Sequence, residues 1–564
     1  MTSRALALLS LFLLAACASL PPASRDLFTH GVASGDMRPD STVLWTRTRE
    51  PARLTPELSR TPGFETVVAL PAVQTRAADD FSVRPVARGL QPGARYYYRF
   101  RAGDATSPVG TFRTPYAKND HAAVRMAFTG DADWKWKPYP LAASLAQENL
   151  DFFFFLGDVI YETLDLQGNR VARNLDEYRF KYRENREPRA NSPSGMAPLR
   201  DLYAAFGQYS VFDNHEIGND DEPYTTGGAV SGAGFVNATP GFDARIQAYT
   251  EYQPVRDETV KGTGDARMDG TRRFFEAIPW SADVELIVLD DRSYRDARVA
   301  DLESPEAMSC KRRMLGEPQR AWFEQALLAA QARGAVWKVV VISSPIQQFG
   351  TKSQVGLDLD SFKGWAGNFR CERAQVLKFI DDHAIDNVVF LTTDYHFTSI
   401  NNLIYDSEPG NPKSPQKRAR NAFEIITGPI GAISGSPLRA RLAMRNPGTR
   451  QEDATIVAAM NDAMRKGGLD PIGLEADFPG LDAASVRVPG RPPGVVDPLA
   501  FVSYAAYSYV ILTFDQSSVH VQLKAMPYVA DPGVLDTEAA EAEYEARRPV
   551  EASSFVVRAL TSAR

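Results

Sequence analysis

The stretch LDFFFFLGDVIYETL, Leu150–Leu164, holds four consecutive phenylalanines that run into Leu-Gly-Asp, with a tyrosine three residues beyond the aspartate. An unbroken apolar run closed by glycine and a carboxylate reads as a strand covered on both faces, as in a parallel sheet flanked by helices. Such a strand is a stiff support, and Asp158 is what it presents at its carboxyl end. Upstream, VRMAFTGDAD has the same form, and YPLAASLAQENL between the two has helical spacing. Downstream come DVELIVLDDRSY, the helix EPQRAWFEQALLAAQARG, the strand VWKVVVISSP, the helix ERAQVLKFIDDHA and the strand DNVVFLTTDYH. Strands alternating with helices, each strand ending on polar residues, predict a layered α/β core.

Ahead of this core the rhythm differs. STVLWTRT, FSVRPVARGL, ARYYYRFRAG and VGTFRTP are short, β-branched or aromatic, and separated by Pro, Gly and Asp turns. LQPGARYYYRF followed by GTFRTP resembles a fibronectin-type β-sandwich, with Thr114–Ala117 as its exit linker. Near the C-terminus, SYVILTFDQSSVHVQLKAM reads as an antiparallel hairpin turning at Asp515–Ser518. The segment from about Gly410 to Pro498 is rich in Pro, Gly, Arg and Asp and reads as a long decorated loop; DTEAAEAEYEARR reads as a solvated helix face. The expected organisation is a leader at 1–17, an all-β domain at 27–116, an α/β domain at 122–530 and a tail at 531–564.

The leader MTSRALALLSLFLLAACASL carries Arg4, an apolar run from Ala5 to Ala16, and then Cys17. That run has the length of a signal-peptide core and is too short to anchor as a membrane span. Leu14-Ala15-Ala16-Cys17 resembles the lipobox of bacterial lipoproteins, which implies acylation at Cys17 and an exported protein, in the periplasm or at the cell surface, held to the membrane by lipid alone. A plain secretory signal is the alternative. Cys310 and Cys371 remain, free either to pair or to stay apart. With 63 basic against 70 acidic residues and a net charge of −7, the chain lacks the cationic surface that phosphate-backbone binding requires, so nucleic acid is set aside as a partner. The residues carry no signal of oligomeric state.

Five segments place acidic, amide, imidazole or phenol groups where strands run out: FTGDAD (Asp131, Asp133), LGDVIYE (Asp158, Tyr161), FDNHEIGND (Asp213, Asn214, His215, Glu216), ISSPIQQ (Ser343, Ser344, Gln347) and TTDYHF (Asp394, His396). Strand ends of α/β sheets are where ligands collect. Each segment alone has an ordinary explanation as a turn, cap or surface imidazole. Their co-occurrence changes the odds: of only six histidines, His215 and His396 both fall inside these segments.

Gly157-Asp158, Asn214-His215-Glu216 and Asp394-Tyr395-His396, in that order, resemble the motifs of the calcineurin-like metallophosphoesterases. Tyr161 resembles the iron-binding tyrosine of purple acid phosphatases. The wider context is similar to the PhoD-like alkaline phosphatases: FTHGVASGDMRPDSTVLWTR matches their N-terminal sandwich, and FLGDVIYE, FDNHEIGND, LDDRSYRD and NVVFLTTDYH match their core in order. The resemblance implies an αββα metallophosphoesterase domain and metal-dependent hydrolysis of phosphomonoesters or phosphodiesters. It also implies two or more metal ions, with Asp131, Asp158, Tyr161 and His396 around iron(III) and Asp158, Asn214 and Asp394 around a second ion. Two features depart from the pattern. A cysteine stands in the family where this chain has Asp131, which shifts metal preference, and a single Arg4 replaces the frequent twin arginine. The histidine usual near VISSP is absent, so oxygen donors dominate the second position and favour calcium, magnesium or manganese.

Such an ion pair lowers the pKa of a bound water from about 15.7 to about 7 and clamps an in-line displacement at phosphorus. His215 is expected to stabilise the developing charge or protonate the leaving oxygen, with a purely supporting hydrogen bond as the plainer role. Arg292 is expected to reach a phosphate oxygen or to pair with Asp290 or Asp291. Trp134 and Trp136 could line the substrate mouth with Lys135 and Lys137 steering an anion, although packing is the commoner role of such aromatics. Two alternatives stand beside the phosphatase: a phospholipase or phosphodiesterase on the same core, and a surface-binding lipoprotein whose catalytic core has decayed.

Overall fold

The computed structural model describes residues 27–165, 170–192, 194–218, 234–297, 299, 304–347, 365, 369–433, 450–466, 469, 471–503, 506–529, 535 and 537–560. The leader and Cys17 lie outside them. Among the described residues no helix is long and apolar enough to cross a membrane.

Phe152–Phe155 forms a four-residue strand buried on every side. It pairs in parallel with Val124–Ala132 on one flank and Gly207–Ser210 on the other. The two faces of the tract bury in different places because successive side chains alternate. Phe152 and Phe154 enter a core shared with Leu286, Val339, Leu391 and Ile425 of a second sheet, whereas Phe153 and Phe155 pack with the helix residues Leu141, Leu145, Leu199 and Leu202. In the second sheet Val284–Val288, Trp337–Val341 and Val388–Thr392 run parallel, and their outer residues Ile287, Val340 and Phe390 meet Phe323, Leu327 and Leu377 of the helices Glu317–Arg333 and Arg370–Asp382. The layers are therefore helix, sheet, sheet, helix, as expected for the α/β part. Full burial of each phenylalanine is worth about 1.5–3 kcal/mol, so the tract fixes its strand firmly.

The N-terminal region is all-β, but its two sheets are not a free-standing pair. Arg53–Ser59, Arg95–Ala102 and Gly110–Arg113 build one small sheet. The other layer, Val32–Arg38 with Ser41–Arg47, continues the sheet that holds Phe152–Phe155, since Ser34 and Gly35 pair in parallel with Gly207 and Gln208. Glycine lets the backbones close at this seam: a Cβ on Gly35 would lie 2.7 Å from the Gln208 carbonyl oxygen, and one on Gly207 2.7 Å from Met37 Sδ. Strand pairing between residues so far apart in the chain leaves no local trace in sequence.

Three C-terminal expectations are corrected. The expected loop at 410–498 contains Gln416–Ile426, a strand placed between Val388–Thr392 and Thr398–Asp406, together with the helix Arg450–Lys466 and the strand Leu481–Arg487. Its charged first half, QKRARN, masks the apolar second half AFEII that the core takes. The expected tail contains Val550–Arg558, which pairs with Ser518–Pro527 and Leu481–Arg487. The helix Glu538–Ala546 buries Tyr544 and Glu541 on one face rather than standing in solvent. The hairpin turns where expected, with Phe514 opposite Val519 and Asp515 N donating to Ser518 O.

Cys310 and Cys371 are disulfide-bonded, which the sequence left open, and close a separation of 61 residues. Replacing both by serine is expected to lower unfolding free energy by about 2–4 kcal/mol, measured by urea denaturation of oxidised protein.

Candidate metal centre

The parallel strands of both sheets deliver their carboxyl ends to one place. Val124–Ala132 carries Asp131, Phe152–Phe155 leads to Asp158, Gly207–Ser210 leads to Asp213 and Asn214, and Val388–Thr392 leads to Asp394 and His396. Backbone bonds lace these ends together: Asp131 N donates to Gly157 O at 3.1 Å, Ala132 N to Asp158 O at 2.8 Å, and Thr393 N to Ser343 O at 3.0 Å. Asp131, Asp158, Asp394 and His396 all have positive φ, between 51° and 74°. Non-glycine residues reach that region at a cost of about 1–3 kcal/mol each, and such strain concentrates at functional sites.

Two groups of ligating atoms result. Asp131, Asp158 and His396 form one, Asp158, Asp213 and Asp394 the other, each with its atoms within 4.8 Å of one another. Asp158 belongs to both. His396 Nε2 is 3.2 Å from Asp131 Oδ1 and 2.8 Å from Tyr161 Oη, which brings the Tyr161 phenol to the edge of the first group. The carboxylate of Asp213 joins the second group, and Asn214, expected as a ligand there, is fully buried in the same turn, between Asp213 and His215.

This donor set fits cations. Asp131 Oδ1, Asp158 Oδ2 and Asp213 Oδ2 are buried and accept no hydrogen bond among the described residues. Burial, followed by the charges of Asp213, Glu216, Asp131 and Asp394, holds the Asp158 carboxyl well above its ordinary range. Burial likewise pushes Asp213 up to about 7, against the pull of Arg292. Burial and then the charge of Asp158 raise the Tyr161 phenol well above its normal value. A group of buried carboxylates crowded this closely is stable in ionised form only around positive charge, and a phenolate there requires a highly charged ion.

His215 stands beside the shared aspartate. Its Nε2 is 3.9 Å from Asp158 Oδ2, its backbone N donates to Asp158 Oδ1 at 3.1 Å, and its ring lies over Tyr161 with centroids 4.0 Å apart. Nδ1 pairs with the buried carboxylate of Glu162, which fixes the ring's orientation. Burial acts to raise Glu162, but the charge and hydrogen bond of His215 outweigh it and keep the carboxyl below its usual range. Glu162 directly follows Tyr161, and no assignment was made to it from sequence.

Arg292 is fully buried, and the salt bridge expected with Asp290 or Asp291 forms with Asp213 instead, with Asp394 at 3.8 Å. The strand end turns its side chain inward because the backbone N–H of Arg292 is held by Asp290 Oδ1 at 3.1 Å. Ser343 Oγ lies 2.7 Å from Asp213 Oδ1 and 2.9 Å from Asp291 Oδ1, so its one proton is shared between the two carboxylates. Trp134, Trp136 and Lys137 take the packing role, the commoner of the two weighed for them, and not the substrate-mouth role. Trp136 is buried, and the indole of Trp134 donates to Thr163 O at 3.0 Å beneath Lys181. The Lys137 amine donates to the carbonyls of Glu184, Glu187 and Pro188 at the end of the helix Leu175–Arg186, a position where helix carbonyls seek donors.

The comparisons with known proteins agree with this geometry. Residues 126–467 match the family described as PhoD-like phosphatase, and residues 15–116 match the N-terminal domain of the PhoD-like phosphatases. Alkaline phosphatase D of Bacillus subtilis (strain 168) is 29% identical over 415 residues, 68% of this chain and 67% of that protein. The solved structure titled "Structure of PhoD" superposes with a TM-score of 0.69 at 24% identity, covering 96% of this chain and 94% of that one, which shows a common fold.

Proposed function

The chain belongs to the PhoD-like phosphatase family and is a metal-dependent phosphoric ester hydrolase; from that premise we propose that Asp158 is shared between two cations and that phosphate esters are cleaved beside it. The observation that carries this reading is the pair of ligand groups meeting at one buried aspartate. Asp131, Asp158, Tyr161 and His396 would hold one ion, and Asp158, Asp213 or Asn214, and Asp394 the other. The phenol of Tyr161 favours iron(III) in the first position, and the all-oxygen donors of the second favour calcium, magnesium or manganese. When bound, the pair supplies Lewis acidity and an activated water for in-line displacement at phosphorus.

The chain's own residues do the rest. His215, held through Nδ1 by Glu162, presents Nε2 to the shared aspartate and is placed to give a proton to the departing oxygen or to stabilise its charge. Arg292 offsets the carboxylates of Asp213 and Asp394. Asp131 occupies a ligand position at 3.2 Å from His396, which favours a working centre over a decayed core. Export and lipid anchoring at Cys17, in the periplasm or at the cell surface, complete the proposal on the strength of the leader sequence.

Metal analysis of purified protein, with parallel assays on para-nitrophenyl phosphate and its bis-ester, tests the reading. At least about two metal equivalents are expected, and the ratio of the two rates separates a monoesterase from a diesterase or phospholipase. Metal-free, inactive protein with an intact fold would overturn the reading in favour of a binding lipoprotein. Glu162→Gln is expected to lower kcat by about 10–100-fold with metal content unchanged, because the His215 ring loses its anionic anchor; steady-state kinetics beside metal analysis checks it.

A further inference from the structure

A histidine that ligates a metal through one ring nitrogen is normally oriented by a hydrogen bond from the other. His396 departs from this. Its Nε2 faces Asp131 and Tyr161, but its Nδ1 is buried and has no hydrogen-bond partner among the described residues. Something else must hold the ring, all the more because the His396 backbone sits at φ +55°, a conformation that relaxes unless its surroundings impose it.

The main chain supplies the hold. The hydroxyl of Tyr528 donates to the His396 carbonyl oxygen at 2.5 Å. Tyr528 follows the strand Ser518–Pro527 and is itself wedged edge-on against Tyr507, centroids 4.8 Å apart. Tyr507 belongs to the strand Ala506–Phe514, which pairs with the strand that carries Asp131. Through this chain of contacts the C-terminal segment and the Asp131 strand are braced against the same peptide.

Resting on the metal-centre reading above, we propose that Tyr528 is a positioning residue for the Asp131–His396 ion: its hydroxyl fixes the peptide of His396 and so replaces the missing hydrogen bond on the imidazole. The role is separable from general packing, since Tyr528→Phe keeps the ring and removes only the donor. Tyr544, in the same C-terminal region with its hydroxyl 3.5 Å from the Trp136 carbonyl oxygen, serves as the control.

The test is titration of manganese(II) into metal-stripped protein, with free ion followed by electron paramagnetic resonance, for the parent, Tyr528→Phe and Tyr544→Phe. The parent is expected to bind about two equivalents. In Tyr528→Phe one equivalent should weaken by about 10–100-fold while the other stays within about twofold, with Tm essentially unchanged. Tyr544→Phe should match the parent, and kcat should fall in Tyr528→Phe with little change in KM. Equal affinities in parent and Tyr528→Phe overturn the inference alone, as does equal weakening of both equivalents in both variants. A parent that binds no manganese and, as purified, holds no metal of any kind overturns the metal-centre reading and the inference with it.

Discussion

Asp158→Asn is expected to abolish ester hydrolysis, by at least ~10³-fold, about 4 kcal/mol of transition-state stabilisation, while the protein remains folded. Asp158 is the residue common to both ligand groups, so its loss removes a donor from each position at once. Asparagine keeps the shape, accepts the His215 N–H as before, and tolerates the left-handed backbone at φ +51° better than most residues. Metal content and rate should therefore fall together without a fall in helical or sheet signal. Full activity in this variant would remove the shared aspartate from the chemistry.

The same substitution should act in the opposite direction on the stripped protein. A buried carboxyl whose pKa is higher folded than unfolded binds more protons in the folded state, so stability falls as pH rises from its unfolded to its folded value. For Asp213 that window runs from 3.8 to about 7, and Asp158 extends the same trend upward. Metal-stripped parent is expected to lose Tm steadily across this window, and metal-loaded protein to lose less because the cations neutralise the carboxylates. Near neutral pH stripped Asp158→Asn should melt roughly 2–4 °C above stripped parent. Thermal scans of both proteins with and without chelator, at pH 5 and pH 7.5, check the sign.

How far the site could be read from residues depends on what kind of information each residue carries. Asp131, Asp158, Asp394 and His396 follow apolar strands directly, and a strand end announces both its place in the sheet and the crevice it faces. Glu162 and Asp213 are different. Each lies within a run of consecutive polar groups, and which member turns inward is decided by the local turn. One signal was available: Glu216 stands three residues after Asp213 and accepts its backbone N–H, the reach-back of a capping box. The fusion of the N-terminal layer with the catalytic sheet, and the strands at Gln416–Ile426 and Val550–Arg558, were hidden for another reason. Their partners are distant in the chain, and their mixed polar composition reflects one covered face only.

Glu216→Gln should be the most damaging change that touches no ligand atom. Glu216 is fully buried, and both oxygens of its carboxylate are in use. Oε2 accepts from Asp158 N at 2.9 Å and Asp213 N at 2.7 Å, and Oε1 from Val159 N at 2.5 Å and Ile160 N at 3.4 Å. One side chain thus ties the loop that carries Asp158 to the loop that carries Asp213 and His215. Glutamine has a single acceptor oxygen, so its amide NH₂ must face two backbone donors, and one pair of bonds is lost whichever way it turns. Hydrogen bonds to a charged acceptor are worth about 1.5–3 kcal/mol each, which sets the loss at ~3–6 kcal/mol. Against this stands relief of the repulsion between Glu216 and Asp158, worth about 1.4 kcal/mol for each unit of pKa it had imposed. In stripped protein the two terms partly cancel. In loaded protein the cations have already removed the repulsion, so the full loss appears. Glu216→Gln is therefore expected to destabilise the metal-loaded form by more than the stripped form, to speed hydrogen exchange at residues 158–160 and 213, and to lower kcat by at least ~10²-fold. Urea unfolding with and without chelator measures the difference, and an equal cost in both states would show that Glu216 supports the strands rather than the centre.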